Sequence, residues 1–219
     1  MTNPLYPNKG LWTKRANKNV GRTVRKQEEH SFLSREEFAF LLKTIKEGDE
    51  PWSEEAFDLT WFMGNFGLRV SETVDLRFED FSNLAQWGLL RLRPRKRRGE
   101  MPERQIRFSP QEVKALSALL ERRKKHRQAA DSRILPMSIR KAQYIFTYYC
   151  KKSGLLGVKP RLSIHALRHT CGVILYEDTQ DLQFVRGRLG HKSLKTVERY
   201  IHLSSRRQSE LGSKRAIIS

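Results

Sequence analysis

The stretch from Glu54 to Phe66 limits the possible folds of this chain more than any other. Phe57, Trp61, Phe62, Met63 and Phe66 point in most directions around a helix, so no single apolar stripe results. A helix of this kind is stable only when other elements cover it on several sides. The chain must therefore build layers around this segment, and 219 residues are enough to do so as one domain with tails.

The surrounding sequence supplies those layers. Ser34-Arg35-Glu36-Glu37 reads as a capping box, and Phe38, Leu41, Leu42 and Ile45 then recur at helical spacing. Gly67 ends the central helix, and Val70 to Leu76 forms a short one. Ser109-Pro110-Gln111-Glu112 starts a helix that buries Val113, Leu116, Leu119 and Leu120 and runs into Arg122, Arg123, Lys124, Lys125 and Arg127. Ser138 caps a helix carrying Ile139, Ala142, Ile145, Phe146 and Tyr149, closed by Gly154. Ser163 caps the next, with Leu167, Cys171, Ile174 and Leu175. Asp181 caps a short helix closed by Gly190, and Ser193 caps the last, which carries Val197 and Tyr200.

Only residues 88 to 108 break the helical period. Leu90 and Leu92 alternate with Arg91 and Arg93, Gln105 to Phe108 alternates again, and Gly99 and Pro102 lie between. That pattern predicts a β-hairpin with a long basic turn. The expected fold class is α+β, predominantly helical, with one small antiparallel hairpin.

Charge narrows the partner. Lys and Arg number 43 against 24 Asp and Glu, a net charge of +19. Seven basic side chains and no acid lie between Met1 and Gln27, which leaves +12 on the remainder, so the folded part is itself basic. A polyanion is the expected partner, with nucleic acid ahead of a membrane surface because no amphipathic anchor stands out. No segment is apolar enough to span a bilayer, and the basic start lacks the apolar core of a signal peptide. Two cysteines, Cys150 and Cys171, point to reduced thiols in the cytosol. Arg95, Arg97 and Arg98 in the hairpin turn, and Arg122, Arg123, Lys124 and Lys125 at the helix end, are the expected phosphate-facing patches.

One constellation carries chemistry. His165 and Arg168 are three residues apart and share a helix face, where two donors suit the non-bridging oxygens of a phosphate. His191 follows Gly190 in a tight turn, Tyr200 lies nine residues on, and Arg69 stands just beyond the Gly67-Leu68 helix end. Singly, each has an ordinary structural explanation: a half-buried tyrosine, a helix-end cation, an ion pair of Arg69 or Arg168 with Glu72. A zinc site at His165, His169, Cys171 and His191 lacks the glutamate of the helical zinc-protease pattern. Glu72, Asp75, Glu79 and Asp80 fit turn capping better than a nuclease metal cluster. No metal or cofactor is expected.

Taken together and in order, Gly67-Leu68-Arg69-Val70-Ser71-Glu72, His165-Ala166-Leu167-Arg168-His169, Leu189-Gly190-His191 and Tyr200 resemble the signature of the tyrosine recombinases, the phage-integrase family. The resemblance covers roughly residues 31 to 203 and implies that family's catalytic fold. It implies that Tyr200 is the nucleophile that forms a 3′-phosphotyrosyl bond. Arg69 and Arg168 would hold the non-bridging oxygens, and His165 and His191 would add hydrogen bonds and help move protons. Glu72 would orient the site, and Lys96 in the hairpin turn would protonate the leaving 5′-oxygen. Within the run Arg95-Lys96-Arg97-Arg98 only the lysine readily gives up a proton, which selects Lys96. The covalent ester conserves the energy of the broken bond, so rejoining needs no nucleotide cofactor.

The resemblance also sets expectations for organisation. Residues 1–30 are expected to be a basic arm, 31–203 the catalytic domain, and 204–219 a tail able to contact a neighbouring protomer. Only 33 residues precede Ser34, too few for the separate helical DNA-clamping domain of most family members. The layout resembles the small fimbrial phase-variation invertases. Expected partners are a double-stranded recombination site, a homotetramer around two duplexes, and an accessory DNA-bending protein. Two other functions fit the same residues: a nicking-closing topoisomerase, and a non-catalytic DNA-binding regulator that retains the fold.

Overall fold

The computed structural model describes residues 32–92, 104–125, 132–191 and 193–204. The basic arm, the turn of the hairpin (Arg95, Lys96, Arg97 and Arg98 included), Arg127 and the tail beyond Ser204 lie outside the described residues.

Helix α1 (Arg35–Lys46) begins at the capping box: the Ser34 hydroxyl accepts from the Glu37 amide at 3.1 Å, and the Ser34 amide donates to the Glu37 carboxylate at 2.7 Å. Helix α2 (Ser53–Phe66) occupies the centre, packed by α1, α3 (Val70–Val74), α6 (Ile139–Lys152) and α8 (His165–Thr179). Its Leu59, Phe62, Met63 and Phe66 are fully enclosed, as its all-round apolar pattern requires. Phe66 meets Phe108 edge-to-face at 4.8 Å and Trp61 at 5.1 Å, which ties α2 to the end of the hairpin.

After a 3₁₀ turn (Phe78–Phe81) and the short α4 (Leu84–Trp87), the chain forms β1 (Leu89–Leu92) and β2 (Arg104–Arg107). They pair antiparallel, with Leu90 opposite Ile106 and Leu92 opposite Arg104. The second capping box is present at α5 (Pro110–Lys125), where the Ser109 amide donates to Glu112 at 2.7 Å. Ser138 caps α6, and Gly154 leads into α7 (Leu155–Val158).

The Ser163 cap is a correction. Helix α8 begins one residue later than that cap requires, with Ile164 at the boundary already in helical conformation and no side-chain cap bond. Leu162 and Ile164 are both buried, so packing, rather than a hydroxyl, fixes where the helix starts. Asp181 does cap α9 (Leu182–Leu189), accepting from the amides of Gln183 and Phe184. Ser193 caps a 3₁₀ turn (Leu194–Thr196) and not the final helical segment, which occupies 199–204.

Among the described residues two apolar clusters result. The larger surrounds α2, and the smaller gathers Phe32, Cys171, Val173, Val185, Leu189, Val197, Tyr200 and Leu203 where α8, α9 and the last helical segment meet. Tyr200 belongs to this second core. Among the described residues no helix is long and apolar enough to cross a membrane.

Candidate active site

The site forms where three chain ends converge: the start of α3, the first turns of α8 and the turn after α9. Gly67 ends α2 in the left-handed conformation, and Arg69 becomes the boundary residue of α3. Glu72, three residues on, reaches back and accepts from the Arg69 amide at 2.8 Å and from its guanidinium at 2.7 Å. One carboxylate thus caps the helix and orients the arginine, which is 37% exposed and open to a ligand.

Arg168 comes from α8 and is 6% exposed. It donates to the carbonyls of Gly67 and Leu189 at 2.5 Å each, and its Nη2 lies 3.4 Å from His191 Nε2. A buried fork held by two carbonyls is an expensive way to place a positive charge, because the carbonyls supply no counter-charge. Burial, with the nearby charge of Arg69, brings its pKa down to about 10. Burial also brings His191 down to about 4, with Arg168 and Arg69 adding to the effect, so its imidazole is neutral at pH 7. Glu72 stays below its ordinary value: burial pushes it up, but Arg104 and Arg69 outweigh that. Among the described residues the cluster is therefore short of negative charge, with Arg69, Arg104 and Arg168 around one carboxylate.

Tyr200 is fully buried, its ring 6.4 Å from that of His191 and 6.3 Å from that of His169. Its hydroxyl has no hydrogen-bond partner among the described residues. Burial pushes its pKa up to about 12, although Arg168 pulls the other way. The ring fits because residue 172 is glycine. A Cβ there would lie 2.4 Å from Tyr200 Cζ, closer than real side chains come.

The structure thus brings Arg69, Glu72, Arg168, His191 and Tyr200 together. His165 is on the same helix as Arg168 but exposed, at the first position of α8. Lys96, Arg95, Arg97 and Arg98 lie outside the described residues. The basic end of α5 is corrected in part. Arg123 is 8% exposed and donates to the fully buried Asp58 at 2.5 Å, and Arg122 bonds Asp58 and, at 2.8 Å, Glu54. These two arginines fasten α5 to α2, because a carboxylate inside the core needs cationic partners. Lys124 pairs with Glu121 on the surface, and Lys125 is exposed.

Arg104 and Gly172 are parts of the site that the motif reading missed, and His169 stands in the motif but was given no role there. Arg104 had a signal: it lies in phase with the inward Ile106 and Phe108, one residue before the alternation that starts at Gln105. His169 is lowered to about 4, first by burial and then by the charges of Arg199 and Arg168. Among the described residues no group of three or more His, Cys, Asp or Glu is placed to hold a metal ion.

The tyrosine recombinase XerC of Caldanaerobacter subterraneus subsp. tengcongensis is 28% identical over 192 residues, covering 84% of this chain and 50% of that protein. The tyrosine recombinase XerD of Corynebacterium glutamicum is 27% identical over 179 residues, covering 79% and 57% respectively. The XerH recombinase in a post-cleavage complex with a palindromic difH substrate shares the fold at a TM-score of 0.68 and 20% identity, over 90% of this chain and 57% of that one. The chain spans about half the length of the curated relatives it matches. The sequence model of the phage integrase family matches residues 31–207, most of the chain, and the chain belongs to that family.

Proposed function

We propose that this chain is a site-specific DNA recombinase that breaks and rejoins DNA through a 3′-phosphotyrosyl intermediate. The observation that carries the reading is the buried Arg168 fork beside Arg69, with Tyr200 packed against the neighbouring His191: among the described residues, a cationic site that calls for an anion, next to a phenol. A phosphodiester supplies that anion. Its non-bridging oxygens take the exposed guanidinium of Arg69 and the charge of Arg168, where negative charge grows in the transition state. Neutral His191 faces the same place and can accept or donate a hydrogen bond, and His165 at the mouth of α8 serves proton movement.

In this scheme the Tyr200 oxygen attacks phosphorus and gives up its proton to the neutral imidazole of His191 as the O–P bond forms. The bond from phosphorus to the 5′-oxygen breaks, and Lys96 protonates that oxygen as it leaves. Attack by a 5′-hydroxyl of a second strand reverses the step and releases Tyr200. Tyr200 must leave its buried resting position to react, since a fully enclosed phenol cannot reach a phosphate.

Support for the DNA partner comes from the net charge of +19 and from the related XerH chain, whose structures hold its difH substrate. The proposal extends to a homotetramer on two duplexes, an accessory DNA-bending protein, and phosphate contacts from the arm, the hairpin turn, Lys124 and Lys125. The proposed place of action is the cytoplasm, on the nucleoid.

The test is covalent capture. Nicked duplexes tiling the DNA that flanks the gene are incubated with the protein and denatured. A tyrosine-linked adduct at one sequence supports the reading, and no adduct with retained binding favours a DNA-binding regulator. A plasmid with two copies of the captured site then separates recombination from simple relaxation by a topoisomerase.

A further inference from the structure

We propose that Arg104, on β2, is a positioning residue of this site, joining the Arg69–Glu72 pair to the turn that presents His191. The inference rests on the recombinase reading above. The Arg104 Nη2 lies 3.2 Å from Glu72 Oε2, and its Nη1 donates to the carbonyl of Leu189. That carbonyl also accepts from Arg168, and the carboxylate also holds Arg69. Arg104 thus shares one acceptor with each of the two arginines proposed to grip phosphate.

The surroundings fix its position. Its side chain is 15% exposed, and its Nε is buried with no partner among the described residues. Gly190, left-handed at φ 64°, lies under it, and a Cβ there would come within 2.4 Å of Arg104 Cδ. Arg188 fastens the same strand a second time, donating to the Arg107 carbonyl and to Glu112. Both terminal nitrogens of Arg104 bond protein groups, one of them the Glu72 carboxylate that orients Arg69, so its role is to hold those groups in place. A lysine would keep the charge but reach only one of the two acceptors.

The same geometry predicts a pH signature. Glu72 is faced by Arg69 from the start of α3, Arg104 from β2 and Arg168 from α8, and the charge of Arg104 is the largest single influence holding it ionised against burial, ahead of each contact with Arg69. Without Arg104, Glu72 takes up a proton at higher pH and lets go of Arg69.

The experiment measures single-turnover cleavage of the captured nicked duplex by the full chain across a range of pH. Arg104→Met should slow the plateau rate by about 10- to 100-fold, the scale for a displaced catalytic group. It should also raise the acid limb of the profile by about one pH unit. Arg104→Lys should keep the acid limb of the wild type while losing about ten-fold in plateau rate. It also carries the test if the methionine variant does not fold. Wild-type rate and limb in Arg104→Met, or a slower rate with the limb unmoved, would overturn the proposal. So would a lysine variant as fast as wild type. If the wild type itself makes no adduct, the recombinase reading fails, and that outcome is distinct from any of these.

Discussion

Tyr200→Phe removes one oxygen atom and nothing else, and its two effects should have opposite signs. The hydroxyl is buried, with no hydrogen-bond partner among the described residues, in a ring enclosed by Gly172 and the His169 and His191 imidazoles. Folding strips such a hydroxyl of its water without replacement, a cost of about 1–3 kcal/mol. Phenylalanine fills the same space without that cost. We therefore expect the variant to be more stable by about 1 kcal/mol or somewhat more, which for a chain of this size raises Tm by about 2–4 °C per kcal/mol. The same oxygen is the proposed nucleophile, so covalent adduct should vanish while binding to the captured duplex stays near normal. Urea denaturation and thermal melts read the first effect, and denaturing gels of the adduct read the second. A variant less stable than wild type would mean that the hydroxyl is satisfied in the folded protein. An adduct on the phenylalanine variant would refute the assignment of the nucleophile. A gain in stability with loss of chemistry is the outcome expected when a reactive group is held ready at the expense of the fold.

Three further outcomes follow from neighbouring contacts. Arg168→Lys keeps the charge but cannot serve both Gly67 and Leu189, so cleavage should fall about 10²- to 10³-fold with DNA affinity largely kept, as a cleavage assay beside a binding titration would show. Gly172→Ala forces a methyl against the Tyr200 ring and should cost about 1–3 kcal/mol, a loss that should shrink in the Tyr200→Ala background, where the ring is gone; strictly additive melts would contradict the packing. Both His169 and His191 are lowered to about 4, so the unfolded chain takes up protons first as pH falls. Stability should be fully present above about pH 6.5 and decline toward pH 4, and His169→Gln should flatten that decline in a urea titration at each pH.

The sequence determined what depends on neighbours a few residues away. The all-round apolar pattern of α2, the caps at Ser34, Ser109, Ser138 and Asp181, and the hairpin alternation follow from the helical and extended periods. The Arg69–Glu72 pair was legible for the same reason, because a residue at the third helical position reaches back to the boundary. The motif order also gave Arg168, His191 and Tyr200.

Tertiary structure decided the rest. Arg104 bonds groups 32 and 85 residues away, and Arg123 turns inward to an aspartate 65 residues back, so a basic run that reads as a phosphate patch becomes in part an internal brace. The seat of Tyr200 likewise depends on Gly172 in another helix. Local pattern gives the face on which a side chain lies. Which group meets it there depends on how the helices cross, and that is settled only when the two apolar clusters close together.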